Sequence, residues 1–405
     1  MPRLSSSLVS VLGLSFVGCG LFPSGGGGPP PGSGTIKPTG CSTTSTHVSP
    51  GGYYVNGNTV CTASGQAHIF HGVDRDSLEF SPQGSHLSAA DFQLMGDWKA
   101  NIVRIALNQD YWLAPTASAA NRFYDASYPA RVDDAVNWAE SAGMDVILDL
   151  HWSDAGVLGS CANSCQQKMA DTNSITFWSE VAARYKNDGR VLFELYNEPH
   201  DVAWSIWKNG GATSDGWMAA GMQQLYDAVR ATGADNLVVI GGLSYAFDLS
   251  GVPNYRVAGY NITYATHPYN NSPDKSPTAW DYAWGSLSAT DPVIVTEFGD
   301  PKTNADGSCP ADYSQELITY ADAHSAGWTA WAWYVGGCGF PSLITDWNGT
   351  PNAPGMVVKA ALGGYHDPAP GGTTPRTQAT DAGSPPIRDA GATDASDAGS
   401  DASSQ

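Results

Sequence analysis

The chain has 405 residues, 42% of them hydrophobic and 11% aromatic, enough for one large core or two ordinary ones. Its formal net charge of −20 excludes a nucleic-acid partner, because phosphate backbones demand basic patches. The apolar stretch 8–17 that follows Arg3 has the length of an export signal and is too short to span a bilayer, and no long apolar run comes after it.

At the end of that stretch Phe16-Val17-Gly18-Cys19 resembles a bacterial lipobox, with Phe16 where leucine is usual. Residues 1–19 are therefore expected to be a lipoprotein-type signal, with Cys19 the lipidated residue and a lipid anchor the sole membrane contact. Setting Cys19 apart leaves six of the seven cysteines, an even set for an oxidising compartment. Local pairing joins Cys41 to Cys61, Cys161 to Cys165 and Cys309 to Cys338. Residues 20–41 are rich in Gly, Pro, Ser and Thr and read as a flexible linker. Residues 367–405 carry one large aliphatic, Ile387, and no aromatic, so this acidic tail is expected to be disordered.

The block 42–366 opens on Tyr53 to Val60, where Asn56-Gly57 marks a β-hairpin placed to plug a barrel floor, with Cys41–Cys61 holding it. Eight β-rich runs follow at 67–72, 102–107, 146–150, 191–196, 237–240, 262–266, 293–296 and 328–333. Helix-like segments stand between most of them, at 130–142, 174–186, 217–231 and 314–326. Eight such runs in roughly 300 residues predict an α/β fold, a (β/α)8 TIM barrel. An open doubly wound sheet fits less well, since no Gly-rich phosphate fingerprint follows the first run.

Barrels of this kind carry their chemistry just past the C-terminal strand ends. Those positions hold Arg104, His151-Trp152, Asn197-Glu198-Pro199-His200, His267-Pro268-Tyr269, Glu297-Phe298-Gly299, and Trp331 with Trp333. Two carboxylates after the fourth and seventh runs face each other across one rim, the arrangement that cleaves a glycosidic bond. Glu194 is the competing carboxylate, but it lies four residues before Glu198, roughly 13 Å deeper at about 3.3 Å per residue, and reads as an interior group. A cation near Glu297 should keep it ionised, whereas Glu198, partly desolvated beside that charge, is expected to have a raised pKa. His151, His200 and His267 share no helix at ligand spacing, so neither a metal nor another cofactor is expected.

The runs His71-Gly72-Val73-Asp74-Arg75, Val103-Arg104-Ile105, Leu148-Asp149-Leu150-His151-Trp152, Tyr196-Asn197-Glu198-Pro199-His200, His267-Pro268-Tyr269 and Thr296-Glu297-Phe298-Gly299 together resemble glycoside hydrolase family 5. That resemblance implies a (β/α)8 fold and retaining chemistry, with Glu198 as acid/base and Glu297 as nucleophile. It further implies that Asn197 binds the substrate 2-hydroxyl, Arg104 and Tyr269 orient Glu297, His151 and His267 line the −1 subsite, and Trp331 floors it. Trp333 competes with Trp331 for that place, because the repeat Trp328-Thr-Ala-Trp331-Ala-Trp333 allows a slip.

Fourteen tryptophans exceed what a core needs, and planar rings stack on sugar faces. Trp138 and Trp178, on helix-like segments, read as core; Trp112, Trp152, Trp207, Trp284 and Tyr334 read as further sugar platforms on the rim. The expected substrate is a β-glucan polymer of the cellulose type, cut internally by a secreted or cell-surface monomer. Mannan, mixed-linkage glucan, xyloglucan and xylan are the alternative backbones. A non-catalytic polysaccharide-binding lipoprotein and a transglycosylase are the alternative classes.

Overall fold

The computed structural model describes residues 35–41, 45–159, 166–271 and 275–364. Strands β1 (Tyr53–Asn56) and β2 (Thr59–Thr62) pair antiparallel, and β3 (Ala67–His68) adds to β2. The two-residue turn is Gly57-Asn58, with Gly57 at φ +59, where a side chain would also strike Thr39.

The barrel strands are β4 (His71–Arg75), β5 (Ile102–Asn108), β6 (Asp145–Trp152) and β7 (Val191–Glu194). A small hairpin of β8 (Gly211–Ala212) and β9 (Met218–Ala219) follows, and β10 (Val238–Gly241), β11 (Ile262–Thr266), β12 (Val293–Val295) and β13 (Gly327–Ala330) complete the ring. Neighbouring barrel strands are parallel, and β13 closes on β4 with Trp328 opposite His71 and Ala330 opposite Val73. The (β/α)8 expectation is met. Gly72 is needed where β4 meets β5, since a Cβ there would lie 1.8 Å from the Ile102 carbonyl oxygen.

Strand patterning explains the two buried layers. Val103, Ile105 and Leu107 point outward into the main cluster under the helices, whereas Ile102, Ile147, Leu192, Val239, Ala265 and Ile294 point to the barrel floor. Tyr53 and Val60 of the hairpin close that floor layer, and the Cys41–Cys61 disulfide fastens the strand beneath them. Burying the hairpin's apolar side chains against the strand starts supplies roughly 1.5–3 kcal/mol per large residue.

Three boundaries differ from expectation. The run 67–72 is divided: Ala67–His68 joins the floor sheet because His68 and Phe70 pack on Tyr53, and the barrel strand begins at His71. The last strand stops at Ala330 instead of continuing to Trp333. The segment 217–231 is a helix from Met222 onward, because Met218–Ala219 is drawn into the β8–β9 hairpin. Gly221 permits that entry, its missing Cβ leaving room for Gly210.

The helix Thr172–Tyr185 begins where Asp171 accepts from the amides of Asn173 and Ser174 and turns Phe177, Trp178, Val181 and Tyr185 inward. No helix of the described residues is long and apolar enough to cross a membrane. Cys19, Cys161, Cys165, the signal and the acidic tail lie outside the described residues.

Candidate active site

Arg104 stands at the centre of the rim, fully buried, on the middle of β5. Its Nε donates to Glu194 Oε2 at 2.6 Å, and one terminal nitrogen reaches Glu297 Oε1 at 2.7 Å and Asp74 Oδ1 at 3.3 Å. The other terminal nitrogen meets Asn197 Oδ1 at 2.7 Å and Asp149 Oδ2 at 3.0 Å. The planar guanidinium thus fixes side chains from four strand ends at once, which a lysine's single ammonium could not do. Glu194 is the interior group expected of it: although burial favours its neutral form, Arg104 and His267 hold it down at about 2.

Glu297 follows β12 with both oxygens engaged, Oε1 by Arg104 and Oε2 by the Tyr269 hydroxyl at 2.6 Å. Glu198, past the end of β7, is more open, its side chain 16% exposed against 5% for Glu297. Oε1 of Glu198 lies 3.2 Å from His267 Nδ1, and Oε2 accepts from Gln166 Nε2 at 2.7 Å. One carboxylate oxygen from each glutamate and a ring nitrogen of His267 all lie within 4.8 Å of one another.

His151 Nδ1 is 2.7 Å from Asp149 Oδ2 and its ring lies nearly parallel to Trp331, centroids 5.5 Å apart. Burial opposes charge on His151, but the hydrogen bond and charge of Asp149 together with the charges of Glu297 and Glu79 outweigh it and raise the imidazole to about 9. For His267 burial is likewise outweighed, by Glu297 and by hydrogen bonds to Glu194 and Glu198, and its pKa is pushed up to about 10. The consequence for Glu198 is a correction. Burial does push it up as expected, yet the hydrogen bond and charge of His267, joined by the Gln166 hydrogen bond and the His151 charge, outweigh it and hold it at about 2. The neighbouring carboxylate is only one of the groups facing Glu198, because folding also brings the His267 imidazole beside it.

The expected site residues Arg104, His151, Asn197, Glu198, His267, Tyr269, Glu297 and Trp331 are brought together. Trp333 is not: it is fully buried behind β13, donating to Asp91 Oδ1 at 2.7 Å with its ring against Trp98. Residues two apart on a strand share a face, so the two tryptophans part only because β13 stops at Ala330 and the chain beyond it no longer alternates. Trp112, Trp207 and Trp284 are also core, not platforms; the first two spend their indole N–H on Glu180 and the Gly241 carbonyl, and Trp284 packs on Tyr320. Trp152 and Tyr334 do remain on the rim, joined through Phe80 at 6.5 and 6.3 Å. Trp178 and Trp138 pack with the core as read.

Three participants escaped the sequence. Asp149 shares strand parity with His151 and was legible in principle. Gln166 sits in a long loop with no motif. Tyr245 is 43% exposed and stacks on His200 at 4.1 Å, held out by three successive left-handed residues, Ser244, Tyr245 and Ala246. None of the three is glycine, so composition gave no warning of the turn. Cys309–Cys338 ties the loops after β12 and β13, as paired from the sequence.

Glu198, His267 and Glu297 are close enough to share a metal ion, but both oxygens of Glu297 already accept hydrogen bonds, from Arg104 and from Tyr269. The arrangement instead suits proton transfer and nucleophilic attack across one bond.

The family model described as Cellulase (glycosyl hydrolase family 5) matches residues 61–337. Endoglucanase N of Pectobacterium atrosepticum is 25% identical over 240 residues, 59% of this chain and 48% of that protein. Endoglucanase E-5 of Thermobifida fusca is 25% identical over 284 residues, 68% of this chain and 54% of that protein. The chain thus spans about half the length of these curated relatives. Among solved structures, a β-glucanase from Saccharophagus degradans superposes with a TM-score of 0.60 at 22% identity, covering 80% of this chain and 96% of that one. The catalytic domain of a Thermobifida fusca endoglucanase, solved with cellotetraose, gives 0.57 at 21% identity over 77% of this chain and 97% of that one. These likenesses agree with the barrel described above, and the family match covers its strands from β4 to β13: the chain belongs to glycosyl hydrolase family 5, the cellulase family.

Proposed function

We propose that the protein is a retaining endo-glycoside hydrolase of β-1,4-glucan, with Glu297 as nucleophile and Glu198 as acid/base. The observation that carries this reading is the separation of the two carboxylates, whose nearer oxygens lie within 4.8 Å. Retaining pairs stand about 5–5.5 Å apart, whereas inverting pairs leave about 6.5–9.5 Å for a water between them.

Glu297, held by Arg104 and Tyr269, is aimed and cannot rotate away, so it attacks the anomeric carbon without reorganising. Glu198 and His267 hold one exchangeable proton between them, resident on the imidazole in the free site. When the glycosidic oxygen displaces water from Glu198, the proton crosses the 3.2 Å contact and leaves with the departing sugar. The glycosyl–enzyme ester then neutralises Glu297, and Glu198 deprotonates a water for the second displacement. Asn197, oriented by Arg104, faces the position of the 2-hydroxyl.

The relatives named endoglucanases and the neighbour solved with cellotetraose support a β-1,4-glucan as substrate. Trp331, Trp152, Tyr334 and Tyr245 supply stacking surfaces along the rim, which suits internal cutting of a long chain. Two disulfides fit an exported enzyme, and Cys19 is our candidate for its lipid anchor.

Activity on carboxymethylcellulose, barley glucan, mannan, xylan and xyloglucan tests the substrate. We expect a fall in carboxymethylcellulose viscosity that outpaces reducing-end release. Preference for mannan or xyloglucan would overturn the β-glucan assignment, and a Glu297→Gln variant that still turns over would overturn the nucleophile.

A further inference from the structure

The barrel rim has two halves of different character. Around the ring β13, β4, β5 and β6 are consecutive, and so are β7, β10, β11 and β12. The ends of the first four carry the aromatic side chains Trp331, Tyr334, Phe80 and Trp152. On the second half, beside the catalytic pair, stand His200 after β7, Tyr245 after β10 and a lysine, Lys275, after β11.

Lys275 is 9% exposed, and its backbone is fixed, since its carbonyl accepts from Trp280 Nε1 at 3.2 Å and from the Tyr313 hydroxyl at 3.4 Å. Its Nζ lies 5.5 Å from the ring centre of Tyr245 and 5.6 Å from that of Phe247. The loop after β10 offers both rings because it turns back on itself, Leu243 and Asp248 exchanging backbone hydrogen bonds. The Tyr245 amide donates to the Pro199 carbonyl at 3.0 Å, which ties this loop to the residue next to Glu198. Burial holds the Lys275 ammonium below the ordinary lysine pKa, while the charges of Glu198 and then Glu297 pull it the other way. Among the described residues no carboxylate pairs with Nζ, and no acceptor takes a hydrogen bond from it. An ammonium has three N–H donors. Aromatic faces answer its charge and leave those donors free, and a desolvated donor without an acceptor is costly.

The acid/base protonates the oxygen of the departing sugar, so that sugar lies on the Glu198 side of the broken bond, and the retained one lies over Trp331. We propose that Lys275 determines specificity for the departing sugar, its ammonium donating to ring hydroxyls while Tyr245 stacks on the sugar face. This rests on the reading of Glu198 as acid/base. The sugar is a neutral one, because Glu198, Glu297 and Asp201 act on the same half of the rim and repel a further anion. In the second displacement an acceptor sugar competes with water for the same place.

Lys275→Met keeps an unbranched stem against the two rings and removes the charge and the donors; Lys275→Gln is a second neutral variant, and Lys275→Arg retains both properties. Full-length wild type and variants are compared on cellotetraose, cut in the middle and followed as cellobiose, and on dinitrophenyl cellobioside. Both substrates form the same cellobiosyl–enzyme, but only the first has a departing sugar. The neutral variants should lose about tenfold in kcat/KM on cellotetraose, the effect of one charge-assisted hydrogen bond, and no more than about twofold on the aryl substrate. Lys275→Arg should recover most of the loss. With the aryl substrate as donor and cellobiose added as acceptor, the ratio of transfer to hydrolysis should fall by a similar factor in the neutral variants. That ratio does not depend on how well Glu198 protonates a leaving group, so it separates sugar binding by Lys275 from an effect on Glu198. Equal losses on both substrates, or an unchanged transfer ratio, would overturn the inference. A wild type active on the aryl substrate alone would spare the nucleophile and overturn this inference; one that turns over neither would overturn the catalytic reading and this inference with it.

Discussion

His267→Phe preserves a ring of nearly the same size and removes both nitrogens from the centre of the site. The imidazole lies 3.2 Å from Glu198, 3.7 Å from Glu297, 3.8 Å from Glu194 and 2.9 Å from the Thr296 hydroxyl. Its pKa of about 10 exceeds the ordinary 6.5, so folding favours the protonated form. That stabilisation is present in full below about pH 6.5 and is lost as the pH rises to about 10; at roughly 1.4 kcal/mol per pH unit it amounts to something on the order of 5 kcal/mol. Wild-type stability from urea titrations should therefore fall across that window, and the variant should start lower and fall less steeply, keeping only the part that His151, raised to about 9, contributes. Breaking a buried charge pair costs about 3–5 kcal/mol at neutral pH, the size of the expected initial deficit. Activity should change in the same window. The wild-type alkaline limb of kcat/KM reports loss of the proton held by Glu198 and His267, near the imidazole's value of about 10. Without the cation Glu198 has to hold that proton alone, and burial beside Glu297 places a carboxyl at about 6–7. The alkaline limb should accordingly move down by about three pH units on substrates with poor leaving groups, and hardly at all on dinitrophenyl cellobioside. A variant with an unmoved alkaline limb and an undiminished pH slope of stability would refute the reasoning.

Glu198→Ala should retain fast glycosylation by dinitrophenyl cellobioside and stall afterwards, with azide restoring turnover as a glycosyl azide of retained configuration; an azide of inverted configuration, or none, would count against Glu198. Tyr245→Ala should lower kcat/KM on cello-oligosaccharides about fivefold, from roughly 1 kcal/mol of lost stacking, while sparing aryl cellobiosides. An equal effect on both substrate classes would show that Tyr245 acts on the fold and not on the leaving sugar. Removing the disulfide by Cys309→Ser with Cys338→Ser frees a loop of 29 residues in sequence separation, worth up to about 3.5 kcal/mol in chain entropy, and should lower Tm measurably. Unchanged Tm would mean that the loops are held by other contacts.

The barrel was legible because its strands are buried on both faces and so appear as compact apolar runs, and because the rim residues fall at the ends of those runs. Glu198, Glu297, Arg104 and Tyr269 could be placed from that rule and from their ordered motifs. Trp333 could not, since the choice between Trp331 and Trp333 depends on where β13 stops, and the run of alternating aromatics carries no stop signal. The tryptophans misread as platforms share one cause. An indole near a loop in sequence can still turn beneath it, and Trp207 does so to reach the Gly241 carbonyl. The pKa of Glu198 was misjudged because it depends on His267, 69 residues away along the chain. Ionisation is a property of neighbours in space, and a motif records neighbours in sequence.

The floor sheet has a consequence for how a tethered barrel would be oriented. Residues 35–41 run along the barrel's closed end, where Ile36 binds the Ala323 carbonyl, Thr39 binds Asn58, and Cys41 is locked to Cys61. Any tether upstream of residue 35 therefore pulls on the pole opposite the cleft. A surface-held barrel would hang with its rim outward, facing incoming polymer, and force along the tether would load the floor and the disulfide before it reached Glu198 or Glu297.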